Sequence, residues 1–380
     1  MSNSEAIPPA LRLFSEQIRA AGVDGRALAV GGGGTKAFYG NGLRAADAQA
    51  LCLSAWRGIV SYEPSELVVV AKAGTPLVEL EAALAERGQM LGFEPPHFGQ
   101  QATIGGCVAA GLSGPRRMAS GAVRDFVLGI EMLDGRGQLL RFGGQVMKNV
   151  AGYDIARLLA GSLGALGVLT EVSLKVLPRP LAQTTLALPM GQAQALAAFD
   201  QWAAQPLPIS AAAWVDETAW IRLSGARAAV EGAVRALGKG VAPVEPALAD
   251  GFWTSLREQT HPFFTLPSAS ASSSSPALWR LALPARCAPL APPQEAGMAP
   301  ATLIEWGGAQ RWLQGGVEGA ALRAWVAGLG GHATRFRSHH ASADAVFSPL
   351  SGPLLTIHRR LKKAFDPHAL FNPGRLHPEL

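Results

Sequence analysis

The sequence predicts an α+β protein in two parts with a separate C-terminal segment, and three observations carry that reading. Residues 1 to 181 alternate short apolar strands and amphipathic helices with glycine-rich loops. After Pro178-Arg179-Pro180 the composition shifts toward Ala and Trp, and strand and helix patterns follow one another from 182 to 345. The last stretch, 346 to 380, reads as a basic helix and a loop containing Asn372, Pro373 and Gly374.

In chain order, Leu11, Phe14 and Ile18 have helical spacing and Gly22 follows as a stop. ALAVGGGGTK is a short strand running into four glycines. A second strand, LVVVA from 67 to 71, leads into GTPLVELEAALAERG. There Thr75 suits an N-cap, Pro76 the first helical position and Gly88 the stop, while Leu77, Leu80 and Leu84 form one apolar face. FEPPHFGQQATIGGCVAAGLSGPRR has almost no periodicity and reads as a long, functional loop. FVLGIEMLD and QLLRFGG are strands joined by the turn Asp134-Gly135. Residues 147 to 178, MKNVAGYDIARLLAGSLGALGVLTEVSLKVLP, begin with helical spacing, pass Gly161, Gly164 and Gly167, and finish as a strand.

In the second part AWIRLSG, RAAVEGAVRALG, LWRLALP, TLIEW, AQRWLQ, ALRAWVAGLGG and HATRFR read as strand, helix, strand, hairpin, helix, strand. That order predicts a ferredoxin-like α+β sandwich with the hairpin turning at Gly307-Gly308. The serine-rich run from 268 to 276 reads as a surface loop. HRRLKK in the tail reads as a solvated helix face, ahead of a stop at Asp366-Pro367.

Composition excludes several classes. With 48% hydrophobic and 16% charged residues in 380, the chain is too apolar for disorder. Its net charge of +5 is spread without Lys/Arg blocks, so no nucleic-acid footprint is expected; an acidic partner or an anionic membrane surface fits equally. Cys52, Cys107 and Cys287 lie far apart and make neither a disulfide framework nor an iron-sulfur site, which fits a cytoplasmic protein. MSNSEAIPPA has no leader pattern, and no apolar run approaches ~18 residues.

Glycine lets backbone N–H groups face an anion at close range, and several such loops in one half imply a long ligand with a pyrophosphate. Gly32, Gly34 and Ala37 satisfy G-x-G-x-x-A, but the turn FYGNG follows where a dinucleotide fold needs a helix. Thr35 precedes Lys36, the reverse of a nucleotide-triphosphatase loop.

GGGGTK, VVVAKAGTPLVELEAAL, QATIGGCVAAGLSG, KNVAGYDIARLLAGSLGALGVLTEV and FDPHALFNPGRL together resemble the FAD-binding segments of the vanillyl-alcohol oxidase and para-cresol methylhydroxylase flavoprotein superfamily. Within it they look most like the branch acting on 2-hydroxy acids, and EWGGAQRWL and GGHATRFR resemble the FAD-binding subunits of bacterial glycolate oxidases. The resemblance implies a PCMH-type FAD-binding domain over 1–181, with subdomains of about 1–98 and 99–181, a cap over 182–345, and a segment 346–380 returning to the first domain. It implies that amides of Gly31, Gly32, Gly33, Gly34, Thr35 and Lys36, and of Thr103, Ile104, Gly105 and Gly106, hold the pyrophosphate, with Gly111, Ser113 and Gly114 continuing that wall. Gly164, Gly167, Val168 and Thr170 would flank adenine and ribose, and Asn372 would either donate to the flavin ring or serve as a turn residue. Gly161 alone suits plain helix–sheet packing. Relatives often attach flavin covalently near the first glycine loop. Thr35 and Lys36 stand there, so non-covalent FAD is expected, with His97 and Cys107 as outside candidates.

Oxidising a 2-hydroxy acid needs a base for the hydroxyl proton and a cation for the carboxylate. Relatives supply these through a metal site around an H-G-D-G-N-x-H type string that this chain lacks, and His332, His339, His340 and His358 have no ligand spacing, so no metal is expected. Arg222, Arg280 and Arg311, on expected cap strands, are the candidate carboxylate clamps, or else outward-facing arginines. The resemblance thus implies a subunit of a glycolate-oxidising complex with a second flavoprotein subunit and an iron-sulfur subunit, peripheral at the inner membrane if membrane-bound at all. A self-contained FAD oxidoreductase and a flavin-free assembly scaffold remain the alternatives.

Overall fold

The computed structural model describes residues 7–144, 153–237, 241–266, 277–290, 301–315, 317–338 and 345–380. KNVAG of the KNVAGYD string, the serine-rich run, His339 and His340 lie outside them.

The first helix, Pro9–Asp24, runs through Gly22 and stops at Gly25, whose φ of 62° gives the left-handed turn that only glycine adopts cheaply. Strand Leu28–Gly31 then pairs in parallel with Gln49–Cys52. On its other side Leu28 meets the chain's end: the Leu28 amide donates to the Leu370 carbonyl at 2.7 Å and the Asn372 amide to the Leu28 carbonyl at 3.0 Å. The tail thus extends the smallest sheet of the first half.

A second, antiparallel sheet orders Ile59–Glu63, Val68–Lys72, Val168–Lys175, Val127–Leu133 and Leu139–Gly143. Helix Leu77–Glu86 packs on it through Leu77, Leu80 and Leu84, all fully buried as their spacing requires. Pro76 takes the N-cap position instead of Thr75. The Thr75 hydroxyl is committed elsewhere, donating to the Lys72 carbonyl at 2.7 Å and accepting from the Gly58 amide at 2.9 Å. The aperiodic stretch from 93 to 117 is not all loop, for Ile104–Ala110 forms a helix capped by Thr103. Two glycines in its first turn hid it, because periodicity reads side chains.

The second half is one seven-stranded antiparallel sheet in the order Ala182–Pro189, Thr218–Gly225, Ile209–Val215, Ala301–Glu305, Gln310–Gly315, Ala277–Ala282, His332–Ser338. The hairpin turns at Gly307 and Gly308, with φ of 63° and 102°. A single ferredoxin-like sandwich was too small an expectation. Two such units are joined edge to edge through Ala213–Glu305 and Trp214–Ile304, the first lacking its fourth strand. Helices Gln192–Ala203, Arg227–Leu237 and Gly319–Gly328 cover one face. The other face, with Leu278, Leu303, Trp312 and Phe336, packs on Tyr39, Ala110 and Leu112 of the first half.

On helix Gly352–Phe365 the string HRRLKK is largely the solvated face expected of it, with Arg359, Arg360 and Lys363 exposed, and Lys362 is the exception. Lys362 is 6% exposed, and its ammonium donates to the carbonyls of Ala165 (2.7 Å) and Phe371 (2.8 Å) and to the Asp366 carboxylate (2.7 Å).

Candidate cofactor site

A cleft of about 320 Å³ opens where strand Leu28–Gly31 runs into its glycines. Gly31 to Lys36, Thr103, Gly105, Gly106, Gly164, Gly167 and Asn372 all line it, as do Tyr39, Leu53, Ala73, Leu163, Leu169 and Arg375, which the sequence did not single out.

Two glycine loops border this cleft, and they differ in how many amides they leave open. Among the described residues no carbonyl or side chain accepts from the N–H groups of Gly33, Gly34, Thr35 or Lys36. A turn whose successive amides point outward is an anion-binding concavity. Most of the ATIGG amides are committed: Ile104 donates to the Thr75 carbonyl (2.9 Å), Gly105 to Ala73 (2.8 Å), and Gly106 to the Thr103 hydroxyl (3.3 Å), while among the described residues the Thr103 amide has no acceptor. Of the two loops expected to grip a pyrophosphate, the first thus leaves four such amides open and the second leaves that of Thr103.

Most of the glycines are bare because protein lies against them. A Cβ on Gly33 would fall inside the Gln101 carbonyl, and one on Gly105 would stand 2.6 Å from the Ala73 Cβ. Gly111 and Gly161 touch backbone to backbone, where a Cβ on Gly111 would lie 2.8 Å from the Gly161 Cα. A Cβ on Gly167 would collide with the Met132 side chain. Gly31 and Gly34 alone in the first loop face open space.

Ile104, Gly111, Ser113, Gly114, Val168 and Thr170 do not line the cleft. The Ser113 hydroxyl accepts from the Val123 amide (3.0 Å), and the Gly114 carbonyl from the Trp306 indole (3.1 Å). Strand alternation explains the other two: Gly167 and Leu169 face the cleft, so Val168 and Thr170 turn away, and the Thr170 hydroxyl donates to buried Glu131 at 2.8 Å. Asn372 is neither a ring donor nor a plain turn residue. Its Oδ1 accepts from the Val30 amide (2.8 Å), and its Nδ2 donates to the carbonyls of Val30 (3.2 Å) and Leu163 (2.8 Å), so both amide hydrogens are used.

The covalent-attachment candidates fare poorly. Burial pushes the Cys107 thiol up to about 12, leaving no thiolate. His97 Nε2 lies 3.0 Å from the Glu81 carboxylate, and neither residue lines the cleft. Lys36 does line it; burial lowers its pKa, and its ammonium donates to the His97 carbonyl at 3.2 Å.

The three cap arginines separate. Arg222, 4% exposed, bonds the Glu94 carboxylate at 2.9 Å and the Ser210 hydroxyl at 3.1 Å, while Arg116 holds the same carboxylate from the other side at 3.1 Å. Burial alone would push the Glu94 carboxyl up; the two guanidinium groups outweigh it and hold the carboxyl below its usual range. This trio fastens cap to first half. Arg311 is fully buried on the helix-covered side, bonded to the carbonyls of Gly308, Cys287 and Ala288. Only Arg280 approaches the cleft, donating to the Tyr39 hydroxyl at 2.8 Å. A further arginine escaped the sequence reading. A bulge at Phe336 turns Arg337 toward the first half, where its guanidinium lies 4.4 Å from the Phe38 ring centroid and 5.2 Å from that of Phe98. Among the described residues no three His, Cys, Asp or Glu side chains converge on a metal-sized point. Among the described residues no helix is long and apolar enough to cross a membrane.

Open amides, an adjacent ammonium and an apolar-walled cleft fit FAD, whose diphosphate needs the first and whose rings need the last. Comparison with known proteins agrees. A model described as an FAD binding domain matches residues 14–143. The chain is 47% identical to glycolate oxidase subunit GlcE of Escherichia coli (strain K12) over 365 residues, 96% of this chain and 97% of that protein. It is 34% identical to glycolate oxidase subunit GlcD of Bacillus subtilis (strain 168) over 34% of this chain and 27% of that one, and 37% identical to a D-lactate dehydrogenase of Archaeoglobus fulgidus over 32% and 27%. In fold it is similar to alkyldihydroxyacetonephosphate synthase, with a TM-score of 0.64 at 13% identity over 95% of this chain and 75% of that one. The chain belongs to the family of glycolate oxidase subunit GlcE, FAD-binding flavoproteins of the oxidoreductase class.

Proposed function

We propose that this chain is the FAD-holding subunit of a multi-subunit enzyme that oxidises glycolate, or a similarly short 2-hydroxy acid, to the 2-oxo acid. The observation that carries the reading is the run of amides from Gly33 to Lys36 in the lining of the cleft that, among the described residues, have no acceptor. Those N–H groups and the Lys36 ammonium would hold the diphosphate, and the apolar walls of Leu53, Ala73, Leu163 and Leu169 would take the rings. Bound FAD supplies the acceptance of two electrons. Asn372 and Lys362 act through the backbone, fixing the position of the loop around Leu163 to Ala165. The cofactor is held without a covalent bond, since Cys107 is sealed in the core and His97 is outside the cleft.

The substrate site belongs to a partner. Beside Arg280, the one cap arginine of the original three that approaches the cleft, the void is about 20 Å³, room for one water and not for a 2-hydroxy acid. A second flavoprotein subunit would carry that site, and an iron-sulfur subunit would take the electrons onward. The assembly is cytoplasmic, touching the membrane only through partners.

The test is purification of the tagged chain with its neighbours, followed by mass, flavin and iron assays. Visible flavin absorption that acid precipitation releases into the supernatant supports the cofactor reading. A colourless chain that takes up no added FAD refutes it. Flavin in this chain that glycolate reduces with no partner present refutes the placement of the substrate site.

A further inference from the structure

We propose that Glu305 takes up and releases a proton in step with the redox state of FAD in the cleft, through the water-sized void beside it and the Arg280–Tyr39 contact. The inference rests on FAD occupying that cleft.

Glu305 ends a central cap strand and is 4% exposed. Its Oε2 accepts from the Trp312 indole at 2.6 Å and from the Gln310 amide at 2.9 Å, both neutral donors. The void of about 20 Å³ borders Glu305, Arg280, Gln310, Trp312, Phe98 and Phe336, enough for one water. Arg280 donates to the Tyr39 hydroxyl, and Tyr39 lines the cleft. The cleft lining itself offers Lys36, Tyr39 and Arg375 among titratable side chains, and no carboxylate or imidazole.

The charged surroundings leave Glu305 free to titrate. Burial pushes its carboxyl up to about 7, against the opposing pull of Trp312, Gln310 and Arg280. Arg257 stands on the far wall of the void and is engaged with Glu258 at 2.8 Å. Arg311, next along the hairpin, points to the opposite face. Arg117 and His332 bear on Arg280. Ala213, the partner of Glu305 on the neighbouring strand, carries no charge.

Two electrons delivered to the cleft, from the 2-hydroxy acid or a chemical reductant, add negative charge on the side of Arg280 facing Tyr39. That charge raises the proton affinity of Glu305, which takes a proton from solvent and returns it on reoxidation. By reciprocity, a protonated Glu305 favours reduction.

The sign follows. Burial raises the Glu305 carboxyl to about 7, and the negative charge that reduction adds raises it further. Between those values reduction takes up one extra proton per two electrons, so the flavin potential falls more steeply with pH, by about 30 mV per pH unit. Spectroelectrochemical titration of the FAD-loaded chain from about pH 6 to about pH 9 should show that steeper segment beginning near neutrality. Glu305→Gln, which keeps an oxygen for Trp312 and Gln310, should remove it while leaving FAD content unchanged. Trp312→Phe withdraws a donor that stabilises the carboxylate and should move the break to higher pH. An unchanged break in Glu305→Gln overturns the proposal. If that variant does not fold, Trp312→Phe decides alone, and a break that stays in place is the refuting result. Wild-type protein that binds no FAD sinks the cofactor reading and the inference together, an outcome seen in the loading step before any potential is measured.

Discussion

Residues 31–36 and residues 161–167 are both glycine-rich and both reach the cleft, yet their glycines are bare for different reasons. In the first loop Gly32 and Gly33 lie against Thr103 and Gln101, but Gly31 and Gly34 face open space and, among the described residues, four successive amides have no acceptor. In the second, Gly161 lies on Gly111, Gly164 on the Asn372 side chain and Gly167 on Met132. One loop leaves part of its backbone open; the other lets protein pack where its side chains are missing. A glycine motif alone does not distinguish the two, since both demand that the side chain be absent.

The largest effect should come from the support of the second loop. Lys362→Ala leaves Asp366 buried without its cation and frees the Ala165 carbonyl, so urea unfolding should report a loss of about 3–5 kcal/mol. An effect below about 1 kcal/mol would mean that water replaces the ammonium there. Next, Gly33→Ala drives a methyl into the Gln101 carbonyl, which has no rotamer to escape by, and should destabilise the apoprotein by about 3 kcal/mol. Asn372→Ala removes the side-chain bonds that tie Val30 to Leu163 and should lose about 1–3 kcal/mol, with the visible flavin spectrum unshifted. A shifted spectrum would restore Asn372 as a ring contact. The smallest effect on stability, and the sharpest contrast, belongs to Gly31→Ala. Its Cβ meets nothing within 4 Å, so the apoprotein should unfold within about 0.5 kcal/mol of wild type while FAD affinity drops at least about tenfold. If Gly31→Ala binds FAD normally, the first loop does not approach the cofactor.

Much of the second half was legible because its elements are written in side chains. Leu278, Arg280 and Ala282 alternate against Trp279 and Leu281, and the two sets do pack on opposite faces. What escaped was long-range: nothing local says that Ala213 will pair with Glu305 and fuse two sandwiches into one sheet. The site shows the same division. Its glycines were identified, but Arg337 needed a bulge to aim it and Glu305 needed its neighbours to bury it. Lys362 did leave a signal, its four-residue spacing to Asp366, which a reading of HRRLKK as solvated passed over.

The sequence by itself determined the local elements, the bare backbone at the cleft and the family likeness, because periodicity, turn chemistry and the absence of Cβ atoms are properties of neighbours in the chain. Tertiary structure decided which amides stay free, which arginine approaches the cleft and which become fasteners. A hydrogen bond is spent or left open by whichever carbonyl arrives from elsewhere: Thr75 and Ala73 came to the amides of Ile104 and Gly105, and among the described residues no such group came to Gly33 through Lys36.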